Sequence, residues 1–138
     1  MADRVRKVHY CYVTVPNRAG QGVRLFQLLG EAGVNLSAMV AFPSRPGKAQ
    51  IDFVTDRLGP VRRAAARLQL RVSAAKKAFL VQGADVPGSV YRHLRRLADV
   101  RISVTAATAV AAGAKRYGMI LWVKPRDYAR AARALRAR

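Results

Sequence analysis

The sequence predicts an α+β protein built from two βαββαβ units in tandem, the second lacking its last strand. Three observations carry that prediction. Alternating apolar stretches of strand length interleave with stretches whose apolar residues recur at helical spacing. A passage from strand through loop to helix, with the pattern Asn/Asp-x-x-Gly, occurs twice, at Asn17–Gly20 and at Asp85–Gly88. The elements that follow each passage come in the same order, so the chain reads as an internal repeat, residues 1–75 and then 76–138.

Residues 1–7 form a basic lead-in. Alternation over Val8–Val15 predicts the first strand, which Pro16 ends by removing a ladder donor. Gly20 and Gly22 permit a tight turn, and Val23, Leu25, Phe26, Leu28, Leu29 and Ala32 then mark a helix over Gly22–Ala32, with Gly33 suited to its left-handed end. Leu36–Phe42 and Ala49–Thr55 are the next strands, joined by a turn rich in proline and glycine, Pro43–Lys48. Gly59-Pro60 opens the second helix, whose inner stripe is Val61, Ala64, Ala65 and Leu68. Leu70–Ala74 is a short fourth strand.

The second unit begins with a strand at Lys77–Gln82 and a helix at Ser89–Ala98, with Val90, Tyr91, Leu94 and Leu97 inward. Ile102–Val110 and Arg116–Val123 are strands around the small-residue turn Ala111–Ala114. Pro125 opens a last helix with Tyr128, Ala131, Ala132 and Leu135 inward. A βαββαβ unit closes as an antiparallel sheet with both helices on one face, the ferredoxin-like solution. The second unit's first strand is left with an open edge, for which Leu70–Ala74, the basic lead-in or a second chain is the expected cover.

The 138 residues carry 26 Lys+Arg against 7 Asp+Glu, a formal charge of +19. That balance raises nucleic acid as a partner. The arginines concentrate on helices, however, where charge runs are solvated faces, and the glycine-aromatic motif of RNA-binding ferredoxin-like sheets is missing. Nucleic acid is therefore the competing partner and not the favoured one. No apolar run reaches the length of a membrane span and no signal-peptide core precedes Val8, so a cytoplasmic protein is expected.

Catalytic chemistry is not legible. The seven acids are scattered, and His9 and His93 stand alone on different elements. His93, among Arg92, Arg95 and Arg96, reads as a solvated helix residue. Cys11, the single cysteine, excludes an internal disulfide and reads as a core or interface residue. Neither an enzyme, a metal site nor a cofactor is expected.

The two units resemble tandem ACT domains. The resemblance rests on Val13–Gly20 with Ala32-Gly33-Val34-Asn35-Leu36 in the first unit, and on Asp85-Val86-Pro87-Gly88 with Ala98-Asp99-Val100-Arg101-Ile102 in the second. Tyr117–Pro125 is similar to the third-strand region of small stand-alone tandem ACT proteins. It implies a non-catalytic regulatory module that binds a small molecule, most often an amino acid, where ACT units pair. Carried over, Asn17, Ala19, Gly20 and Asn35 line one site, and Asp85, Gly88 and Arg101 the related one. Asn17 stands where an acid is common and Arg101 where Asn is common, so the two sites differ chemically. The units are expected to pair through Leu36–Phe42 against Ile102–Val110, and the chain to form a homodimer or larger assembly with Cys11, Tyr12 and Trp122 at an interface.

Overall fold

Valines at positions 5 and 8 continue the apolar pattern of the first strand into the basic lead-in. In the computed structural model, which describes residues 3–138, β1 accordingly runs over Arg4–Pro16, four residues earlier than its alternation predicted. The elements that follow are α1 (Val23–Glu31), β2 (Ala38–Arg45), β3 (Lys48–Val54), α2 (Leu58–Arg67), β4 (Lys76–Ala84), α3 (Ser89–Asp99), β5 (Val104–Gly113), β6 (Arg116–Val123), a 3-10 turn (Pro125–Asp127) and α4 (Tyr128–Leu135). This is the expected α+β order. The chain divides into two units, one being His9–Lys76 and the other Lys77–Arg138 together with the segment ending at Val8. The lead-in thus groups with the second repeat.

In the unit His9–Lys76, β3 lies between β1 and β2 and is antiparallel to both, with Val13 opposite Ile51 and Met39 opposite Phe53. The predicted strand Leu70–Ala74 shrinks to a single bridge, Val72 to Val13, reinforced by Ser73, whose N–H donates to the Tyr12 carbonyl and whose Oγ accepts the Tyr12 N–H. Leu25, Leu28 and Leu29 of α1 and Val61, Ala64 and Ala65 of α2 form one apolar cluster with Cys11, Val13, Val15, Ile51 and Phe53. Burial pushes the Cys11 thiol up, with Arg62 opposing, and the residue is fully enclosed. It belongs to this core and is not available to a subunit interface.

In the other unit β6 lies between β4 and β5, antiparallel to both, and the lead-in end of β1, residues 4–8, lies on the far side of β4. The open edge left by the truncated repeat is therefore covered by the lead-in, one of the three expected candidates. Backbone bonds from Lys7 N–H to the Arg138 carbonyl and from Arg138 N–H to the Val5 carbonyl fasten that segment within the unit. Phe79, Val81, Leu97, Met119, Leu121, Ala131 and Leu135 form its core. Trp122 is buried as well, so it too is withdrawn from an interface. Among the described residues β2 has only β3 as ladder neighbour and β5 only β6, so the expected pairing of Leu36–Phe42 with Ile102–Val110 is not seen.

The repeat is visible in the backbone bonds. Asn17 N–H reaches the Gly47 carbonyl and Asp85 N–H the Lys115 carbonyl, both at 2.9 Å, a constant offset of 68 residues (85 − 17 and 115 − 47). All four helices end alike. Val34, Leu70, Ile102 and Ala137 donate to carbonyls five residues back, each just after a left-handed residue: Gly33, Gln69, Arg101 and Arg136. This is the six-to-one closure that satisfies orphan helix carbonyls.

Candidate functional site

The two strand-to-helix loops have the same construction. Gly20 and Gly88 both adopt positive φ, +81° and +85°, where a β-carbon would be strained. Arg18 N–H closes on the Pro16 carbonyl and Val86 N–H on the Ala84 carbonyl. Asn17, Ala19 and Gly20 thus lie together on an exposed loop before α1, and Asp85 and Gly88 on its counterpart before α3.

The second loop borders a cavity of about 390 Å³. Its floor and walls come from Asp85 and Gly88, from Ser89 and Tyr91 in the first turn of α3, from Ala109–Ala111 of β5 and from Tyr117 of β6. Small residues on β5 keep the opening wide. Ser89 is buried and locks the loop, its hydroxyl donating to the Ala84 carbonyl at 2.7 Å and accepting the Val86 N–H at 3.1 Å. Tyr91, expected inward, is 59% exposed at the cavity. Its i,i+4 spacing from Arg95 explains this, since the arginine Nη1 donates to the phenol oxygen at 2.8 Å. Ser89, Tyr91 and Tyr117 were not among the sequence candidates. The signal available for Ser89 is its place at the start of α3, directly after Pro87-Gly88.

Asn35 and Arg101 are elsewhere. Asn35 follows the C-terminus of α1, about 13 Å along the helix from its N-terminal loop at 1.5 Å per residue, and its carbonyl accepts the Thr55 hydroxyl. Arg101 follows the C-terminus of α3, with φ of 59°. The motif match that set Arg101 against Asn35 slips by two residues: at the offset of 68, Arg101 is the equivalent of Gly33 (101 − 33) and fills the same helix-ending position. A left-handed arginine carries a backbone cost of about 1–2 kcal/mol. Arg101→Gly is therefore expected to raise stability by up to about 1 kcal/mol, measured as the urea midpoint. An unchanged or lowered midpoint would mean the arginine side chain contributes more than its backbone costs.

Beside the cavity lies a polar cluster that sequence reading did not find. His93 is 3% exposed, not solvated, and its Nε2 lies 2.6 Å from Oδ2 of Asp3. The same oxygen accepts the Tyr117 hydroxyl at 2.7 Å and faces Arg92 at 3.2 Å. Burial pushes the Asp3 carboxyl up, but the bonds from His93 and Tyr117 and the charge of Arg92 outweigh it, and the group is held below its ordinary value. Tyr117 is raised in turn, by burial first and by its bond to the Asp3 carboxylate second. Gly83 makes the arrangement possible, because a β-carbon there would collide with Asp3 Oδ1. Among the described residues no three His, Cys, Asp or Glu side chains gather as a metal cluster, and no helix is long and apolar enough to cross a membrane.

No protein-family model matches the chain, and no protein of curated function matches it in sequence. Solved structures do match in fold. A protein from Bacteroides thetaiotaomicron is 16% identical with a TM-score of 0.78, over 97% of this chain and 88% of its own. The ligand-free regulatory subunit of aspartate kinase from Thermus thermophilus is 16% identical at a TM-score of 0.65, over 98% and 93%. The corresponding subunit from Thermus flavus is 19% identical at 0.63, over 98% and 94%. The paired loops, the common helix endings and these likenesses agree on the architecture: the chain has the tandem ACT-type, ferredoxin-like fold.

Proposed function

We propose that the protein is a non-catalytic cytoplasmic regulatory module that binds a small molecule of the amino-acid class at the loop-to-helix cavity of its second repeat. The observation that carries this reading is the cavity of about 390 Å³ at the start of α3. There Asp85 supplies a carboxylate for an amine, the first turn of α3 supplies N–H groups and the positive end of a helix dipole for a carboxylate, and Tyr91 and the alanines of β5 supply an apolar wall. The regulatory subunits that share the fold support the regulatory half of the reading. The loop carrying Asn17, Ala19 and Gly20 is the candidate for a second, chemically different site, Asn35 and Arg101 being the remaining family-derived candidates. The exposed edges of β2 and β5, with Val110 64% exposed, suit association with a second copy.

Thermal-shift screening of the amino acids tests the proposal. A ligand present at about one hundred times its Kd adds about 2.7 kcal/mol to folded-state stability, a shift of several degrees. Gly88→Val, which strains the loop, is expected to abolish the response. Failure of every amino acid to stabilise the protein at tens of millimolar would reject the ligand class.

A further inference from the structure

A second cavity of the same unit, of about 660 Å³, is lined by six arginines against one aspartate: Arg4, Arg6, Arg92, Arg96, Arg136 and Arg138 with Asp3. It also contains His93. We propose that this cavity is a binding site for a small, multiply charged oxyanion of the phosphate or pyrophosphate type.

Three observations carry it. The charge is concentrated, not spread: β1 contributes Arg4 and Arg6, α3 contributes Arg92 and Arg96, and the residues at and beyond the end of α4 contribute the rest, so three separate elements converge. The one acid cannot neutralise them. Asp3 already holds His93, Tyr117 and Arg92 on a single oxygen, and its other oxygen rests over Gly83. Finally, three buried polar atoms of cavity-lining residues have no hydrogen-bond partner among the described residues: the nitrogens Arg6 Nε and His93 Nδ1, and Asp3 Oδ1, which faces Gly83. His93 is 3% exposed, and the Asp3 carboxylate commits its Nε2 to donation, so an unpartnered Nδ1 is a polar group buried without compensation.

An oxyanion answers the excess of arginines and the two unpartnered nitrogens, while Asp3 Oδ1, turned to Gly83, gains nothing from it. Guanidinium groups present planar forks of N–H donors that match phosphate oxygens, and Arg6 Nε gains the acceptor it lacks. His93 Nδ1 accepts from a protonated phosphate oxygen, or donates to an ionised one when the ring carries a second proton. Solvated arginines on one helix face would need none of this. Here they come from β1, α3 and the α4 end around a histidine that is enclosed.

Isothermal titration of the intact protein with pyrophosphate, at constant ionic strength, tests the site. Wild type is expected to bind at submillimolar concentration, and Arg6→Gln and Arg96→Gln are each expected to weaken binding tenfold or more, the loss of one charge-assisted bond. Arg67→Gln, on the exposed side of α2 in the other unit, removes the same charge and is expected to leave the affinity within twofold. If Arg6→Gln does not fold, the exposed pair Arg4→Gln and Arg136→Gln takes its place. No binding at 10 mM (about ten times the upper end of the expected range), or equal losses in Arg67→Gln and Arg96→Gln, overturns the proposal. So does displacement of pyrophosphate by a single-stranded RNA that binds more tightly, which would make a nucleic-acid backbone the occupant.

Discussion

Replacing Asp3 with alanine is expected to lower stability at pH 7 by about 3 kcal/mol, the lower end of what breaking a buried pair costs. The substitution removes one oxygen and strands two enclosed groups, the His93 imidazole and the Tyr117 hydroxyl. Arg92 is left out of the sum because its side chain is 52% exposed and regains water. The pH dependence fixes the cause. The Asp3 carboxyl is lowered from its ordinary 3.8, so its contribution is present above that value and is lost as pH falls through the folded-state value. The stability gap between wild type and Asp3→Ala should therefore be full at pH 7 and shrink below about pH 4, with Asp3→Asn falling between the two proteins. Urea denaturation at both pH values reads this directly. A gap of the same size at pH 3 would show that packing, not the carboxylate charge, holds the cluster. Because Tyr117 borders the α3 cavity and loses its anchor to Asp3, the same substitution is expected to weaken the ligand response there.

Local patterns were legible and long-range pairings were not. The helical stripes Val61/Ala64/Ala65 and Ala131/Ala132/Leu135 are buried as periodicity predicts, because a helix's apolar face is set by neighbours three and four residues away. The doubled loop was legible for a similar reason, since each glycine answers a backbone demand within its own turn. Arg4, Arg6 and Lys7 hid the start of β1: basic side chains suggest a solvated tail, while Val5 and Val8 between them are core. His93 was misplaced because its three arginine neighbours imply exposure, and the group that justifies its burial stands 90 residues away in the chain. Arg101 shows a third kind of limit. Nothing local demands arginine there, and its helix-ending role follows only from the bond between Ile102 and Leu97. The strand-two pairing failed because an open edge states a need for a partner without naming one.

Phe79→Ala carries the largest expected effect, a loss of about 3–5 kcal/mol. Phe79 is fully buried in β4, opposite Leu121 of β6, and belongs to the cluster that joins β4, β6, α3 and α4. Its ring stacks on Tyr128 with centroids 4.4 Å apart and planes 10° from parallel. The Tyr128 hydroxyl is in turn anchored to the Ala78 carbonyl at 2.9 Å, which holds α4 against β4 at adjacent strand positions. Deleting the ring thus opens a cavity and also removes the surface on which Tyr128 is buried. Burial pushes the Tyr128 phenol up to about 12. In the variant, water reaches that ring, and its titration, followed by ultraviolet absorbance, is expected to move back toward the ordinary 10. Phe79→Leu keeps most of the volume but not the stacking, and should recover all but about 1.5 kcal/mol. The urea midpoints of the two variants and the Tyr128 titration are independent readouts. A small loss in Phe79→Ala with Tyr128 still titrating near 12 would mean that the cluster repacks around the missing ring and that α4 is held by its alanine stripe instead.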